Sequence, residues 1–162
     1  MKEMRKFKRQ MPEDWALDVF DRAPYTTLSM VRPDGTPYAI AVNMVRKNRD
    51  TFYFHCAFEG EKIECLNHQP IVSLMAVSKC HPKFEDLKEN FTEFYHSAIA
   101  LGRAEQVTDN DEKIEALRLL CERFLPQNMD HFDAAIQRSL SRTNVIRIKL
   151  TEPPVGKCKG NL

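Results

Sequence analysis

Residues 51–78, TFYFHCAFEGEKIECLNHQPIVSLMAVS, decide how this chain is read. The first part, 51–57, is rich in aromatic and β-branched residues and predicts a strand whose end carries His55 and Cys56. Gly60 breaks the pattern. Residues 61–66 then fit one or two helical turns, stopped by Asn67 and Pro70. Residues 71–78 return to strand. This places Lys62 in the first turn of a helix, where the backbone dipole is positive and a cation is disfavoured by roughly 0.3–1 kcal/mol unless an anion shares the site. Helix N-termini hold phosphates through the same dipole and their free N–H groups. Lys62 therefore reads as a phosphate anchor or as a solvated surface lysine.

Working outward, residues 12–22 read as a short helix with Trp15, Val19 and Phe20 on one face. Residues 25–31 and 37–45 read as strands joined by Pro33-Asp34-Gly35, where proline presets φ and glycine accepts a positive one. The stretch 79–92 is polar and irregular and reads as a long loop. Residues 94–108 form a long strand, bulged or bent near Gly102. Residues 109–124 form a helix that Asp109 and Glu112 cap, 130–140 a second helix, and 143–150 the sixth strand. Six strands linked mostly by hairpins predict a mainly β architecture with flanking helices (α+β), an antiparallel barrel and not a doubly wound parallel sheet.

Composition narrows the function. At 162 residues the chain suits one domain: a basic arm over 1–10, a single domain over 11–157 and a short tail over 158–162. A net charge of +1 gives no electrostatic reason to expect nucleic acid or an anionic membrane. No apolar run approaches the ~18–20 residues of a membrane helix. Five irregularly spaced cysteines argue against a disulfide framework and for a reducing cytoplasm. Of Cys56, Cys65, His68, Cys80 and His81, only Cys65 and His68 have zinc-like spacing, so ordinary buried cysteines and helix-end histidines account for the set better than a metal. No hydrolase elbow, Walker loop or dinucleotide-binding glycine pattern is present, so a nicotinamide would come and go as a substrate.

Phe54, His55, Ala57, Glu59, Gly60, Lys62, Ile63 and Pro70, with DRAPYTTLSMVRPDGTPYAIAVNMV, YHSAIALGRAEQV and VIRIKL…GK around them, resemble the pyridoxamine-phosphate-oxidase-like, FMN-binding split-barrel superfamily. Within it the likeness is to the nitroimidazole-resistance proteins. The resemblance implies a six-stranded split barrel and an FMN-dependent oxidoreductase, reducing nitroaromatic or other electron-poor acceptors with electrons from NAD(P)H or a reduced carrier. A non-catalytic flavin- or haem-binding protein on the same fold is the alternative. It also implies that Lys62 holds the FMN phosphate while His55, Cys56 and Ala57 run along the ribityl chain and ring edge. Thr27, Leu28, Ser29, Val42 and Asn43 would pack beside the flavin, and Ser97 would complete the site from a partner subunit. His55 is the implied proton donor. One departure stands out: relatives often carry a basic residue before the phosphate lysine, and here it is Glu61. Arg142 and Lys157 are the expected sources of a compensating cation.

A homodimer follows from the barrel's size. Six short strands leave an interior filled by side chains, so a flavin must rest on the outer wall and needs a cover. Phe52, Phe54, Phe94 and Tyr95 are the expected apolar surface for that contact.

Overall fold

The computed structural model describes residues 3–160, so the outermost ends of the expected arm and tail, 1–2 and 161–162, lie outside the described residues. Nine strands and four α-helices occur among the described residues, three strands more than the sequence predicts. The chain opens with β1 (Gln10–Met11) and α1 (Glu13–Arg22), continues through the hairpin β2 (Thr26–Val31) and β3 (Pro37–Val42), then β4 (Val45–Arg46), β5 (Thr51–Cys56) and α2 (Glu61–His68). It then runs through β6 (Ile71–Glu85), β7 (Asn90–Gln106), α3 (Asn110–Phe124), α4 (Phe132–Ser139), β8 (Asn144–Leu150) and β9 (Val155–Lys159).

The strands form one antiparallel sheet in the order β3-β2-β6-β7-β8-β5-β4, with β9 on the first half of β7 and β1 on β9. The sheet curls but does not close, the split barrel that the sequence predicts. β7 exchanges partners along one edge, pairing β9 over Tyr95 to Ile99 and β8 from Gly102 onward. Gly102 stands at that exchange because a Cβ there would lie 2.5 Å from the Ile148 side chain and 3.0 Å from the Lys149 carbonyl. The strand pairs regularly through Gly102, and the irregularity falls instead on β6 between Val77 and Lys79.

Two strand boundaries also change. The predicted loop 79–92 is the outer part of the β6–β7 hairpin, with rungs running out to Glu85 and Asn90. The predicted strand 37–45 breaks after Val42, because β3 pairs with β2 whereas β4 pairs with β5. Asn43 and Met44 carry the chain between the two edges of the open sheet. Arg123 of α3 holds this crossing, donating to the carbonyls of Met44 (2.6 Å), Phe20 (2.7 Å) and Ala23 (2.9 Å). Burial pulls its guanidinium below the ordinary arginine range, and the three carbonyls satisfy its donors.

Alternation along β5 divides the core in two. Phe52 and Phe54 enter the barrel with Leu28, Leu74, Ile146 and Ile148, where Phe52 meets Phe20 of α1 edge-on at 5.4 Å. They are buried, so they cannot form the dimer surface expected of them. Tyr53 points to the opposite side and packs with Val145, Ala116 and Leu120 beneath α3. Its hydroxyl donates to Glu112 (2.7 Å), which Arg147 grips with contacts of 2.8 and 3.0 Å. Asp109 caps α3 as predicted, its Oδ1 accepting from the Glu112 N–H at 2.8 Å. Among the described residues no helix is long and apolar enough to cross a membrane.

Candidate functional site

The end of β5 and the start of α2 bring the expected residues together. Gly60 precedes α2 with φ +112°, a conformation that side-chain-bearing residues rarely adopt. A Cβ built on it would meet nothing within 4 Å, so the space before the helix is open. Lys62 lies over the Phe54 ring, its Nζ 5.3 Å from the ring centroid, and pairs with no carboxylate among the described residues.

Glu61 does not stand alone. Arg32, from the β2–β3 turn, reaches it with Nε 2.5 Å from Oε1. The Arg32 guanidinium also stacks on Tyr38, 4.7 Å from the ring centroid, and donates to the Pro37 carbonyl at 3.1 Å. The compensating cation therefore comes from Arg32. Arg142 lies exposed in a short 3-10 turn after α4, and Lys157 lies on β9 opposite Ser97. Sequence reasoning missed Arg32, because its contact with Glu61 joins residues 29 apart.

His55 follows Phe54 on β5 and turns to the helix side of the sheet. There it borders a cavity of about 340 Å³ between β5 and the helices α3 and α4, together with Asn43. His55 keeps an exposed edge, and partial desolvation, then the positive charge of Lys62, lower its imidazole from the ordinary value, favouring the neutral form. Burial raises the neighbouring Cys56 thiol, with Lys62 opposing, so the net direction is up and the thiol stays protonated. Ala57 lies just past the strand end, its carbonyl 3.5 Å from Asn144 Nδ2. Asn144 is 1% exposed and pairs across the β5–β8 ladder with Cys56. Its Oδ1 finds no hydrogen-bond partner among the described residues, a buried acceptor left open beside the same strand end.

The other predicted residues separate by face. In β2, Leu28 points into the barrel core while Thr27 and Ser29 point outward. Val42 is also in the core, so it and Leu28 can offer a ligand only their backbone. The outward face carries Thr27 opposite Ala41 and Met75, with Met75 in turn opposite Ile99. Ser97 lies one rung further along, between Val77 and Lys157. Met75, Val77 and Ile99 are exposed. Cys65 is buried in the barrel core and His68 is exposed. No group of three or more metal-ligating side chains converges among the described residues.

A flavin phosphate fits a lysine without a carboxylate partner among the described residues and the open space before Gly60. Among solved structures, a candidate 5-nitroimidazole antibiotic resistance protein of Bacteroides thetaiotaomicron is similar at 20% identity with a TM-score of 0.77, over 93% of this chain and 87% of that one. A flavocytochrome of Azotobacter vinelandii is similar at 19% identity and TM-score 0.83, over 98% of this chain and 73% of that one. An FAD- and haem-binding protein of Mycobacterium smegmatis is similar at 20% identity and TM-score 0.81, over 94% and 74%. TM-scores of 0.77, 0.83 and 0.81 at these identities show a shared fold and no more. No curated protein matches the sequence significantly. The profile of the family described as pyridoxamine 5'-phosphate oxidase matches residues 12–155, nearly the whole domain. The chain belongs to that family, as the motifs around Lys62 imply.

Proposed function

We propose that the protein is an FMN-dependent oxidoreductase that reduces small electron-poor acceptors, nitroaromatic compounds among them, with electrons from NAD(P)H or a reduced carrier. The observation that carries this reading is Lys62, a cation without a carboxylate partner among the described residues, set at a helix start behind an open glycine. Bound flavin would supply the redox chemistry, accepting a hydride or electrons and releasing them to an acceptor. The chain's own residues bind, orient and exclude water. Lys62 neutralises the phosphate. Arg32 offsets the Glu61 carboxylate beside Lys62. Thr27 and Ser29 offer side chains on the outer wall, and Leu28, Val42, Cys56 and Ala57 offer backbone. His55, its neutral form favoured, serves as a hydrogen-bond partner to the reacting molecule and does not store the proton.

The same reading makes the protein a cytoplasmic homodimer with flavin sites between subunits. The outward apolar face around Met75, Val77 and Ile99 supports this, being a contiguous patch on a curved sheet that a twofold copy would cover. Ser97 and Lys157 then reach the site from the partner. The descriptions of two relatives as a flavocytochrome and as an FAD- and haem-binding protein favour a second reading, a flavin- or haem-binding protein without turnover. An absorbance spectrum of the purified protein, mass identification of the released cofactor and anaerobic addition of NAD(P)H test both. Flavin that bleaches and then recovers on adding a nitroaromatic supports the oxidoreductase. Flavin that no donor reduces, or haem in its place, overturns it.

A further inference from the structure

Among the described residues, the cavity that His55 and Asn43 border is lined by no carboxylate, lysine or arginine. Its walls are the apolar side chains of Leu120 and Phe124 from α3 and of Phe132 and Ile136 from α4. At about 340 Å³ it lies near the small end of ligand sites, with room for a two-ring molecule. Its polar groups are few: Asn43, His55, Ser139 and Thr143, with the Cys121 thiol. The hydroxyls of Ser139 and Thr143 are already engaged, donating to the carbonyls of Ala135 (2.6 Å) and Ser139 (2.9 Å). The side chains of Asn43 and His55 are not: neither has a hydrogen-bond partner among the described residues.

We propose that this cavity binds an uncharged molecule with an apolar body and one polar head, and that this molecule is the electron acceptor. The second half of that statement rests on the reading above; the first half does not. A neutral imidazole offers one N–H and one bare nitrogen, and an amide offers both kinds of group, so together they receive a carbonyl or a hydroxyl equally well. Among the described residues no charged side chain lines the cavity; Arg118 and Arg123 lie behind the Phe132 and Phe124 rings, so a charged head would lose hydration without a direct partner. The alternation of β5 explains why the site lies here. Phe54 closes the barrel and carries Lys62 on its face, while the next residue, His55, turns to the helices. The phosphate anchor and the acceptor pocket thus lie on two sides of one strand end, joined through adjacent residues.

Three molecules of one shape test the proposal by calorimetry on the full chain: 2-acetylnaphthalene, 2-ethylnaphthalene, which lacks the carbonyl, and 2-naphthoate, which carries a charge. The expected result is binding of the ketone at least fivefold tighter than either of the others, undiminished by saturating FMN. Asn43→Leu, at an exposed position, should bring the ketone to the level of the hydrocarbon, and Ala135→Trp, which fills the cavity, should abolish binding of both. Equal binding of all three molecules, an Asn43→Leu protein that binds like wild type, or displacement of the ketone by FMN overturns the proposal. A protein that binds FMN and no ketone defeats the pocket alone. One that binds the ketone selectively and no FMN keeps the pocket and defeats its role as an acceptor site.

Discussion

Arg32 Nε lies 2.5 Å from Glu61 Oε1, and this contact gives the acidic residue beside the proposed phosphate anchor a partner. Glu61 draws Arg32 from the β2–β3 turn to the start of α2, where Tyr38 and the Pro37 carbonyl fix the guanidinium. The pair is exposed, so it acts through placement more than through its own attraction.

Removing Arg32 should therefore weaken FMN binding, because Arg32→Ala leaves the Glu61 carboxylate unmasked near the phosphate. Glu61→Ala should tighten it by freeing Arg32 to reach the ligand, and the double variant should fall between the two. Titration of the three proteins at low salt checks this. Unchanged affinity in Arg32→Ala would remove Arg32 from the site.

The lowered titration of His55 carries a pH signature. Its folded value lies below its unfolded one, so between the two the unfolded chain binds more protons and stability rises with pH. His55 thus favours the folded state above its ordinary value near 6.5 and ceases to do so as pH falls through its lowered folded value. Urea unfolding at pH 7.5 and 5.5 should show a smaller acid loss in His55→Asn than in wild type. Identical losses would mean that the imidazole is not held neutral by its surroundings.

Arg123 should prove the most costly of the polar side chains to remove. Arg123→Met leaves the Met44, Phe20 and Ala23 carbonyls without their donor and frees the Asn43–Met44 crossing. A loss of roughly 2–4 kcal/mol follows from unpairing buried carbonyls at about 1–3 kcal/mol each, with water recovering part. Chemical denaturation measures it, and a loss below about 1 kcal/mol would show that solvent replaces the arginine.

The barrel was legible because TTLSMV alternates and TFYFHC is rich in aromatic residues, both strand signals. The outer part of the β6–β7 hairpin was not, since it is largely exposed on both faces and its residues show no alternation to read. β9 was missed for a related reason: VGKCK has a glycine and two lysines, and only its pairing with β7 makes it a strand. Lys62 could be located from a helix start and a glycine. Arg32 and Asn144 could not, as each joins the site through a tertiary contact that no local pattern encodes. The cavity beside His55 depends on how α3 and α4 dock, which their own periodicity leaves open.

The outward patch should hold two copies together. Ile99→Asp places a charge at the centre of the exposed row formed with Met75 and should convert the dimer to monomers near 18.9 kDa in light scattering. Flavin should be lost with the partner if the sites are shared. A wild-type monomer that binds FMN fully would end the shared-site account.

The central claim is that Lys62 anchors the phosphate of a bound flavin. Calorimetric titration of FMN into wild type and Lys62→Ala measures it directly. A charge-assisted hydrogen bond contributes about 1.5–3 kcal/mol, so affinity should fall by roughly 10- to 150-fold in the variant. Equal affinity in the two proteins would contradict the account at its core, whatever the wild-type value.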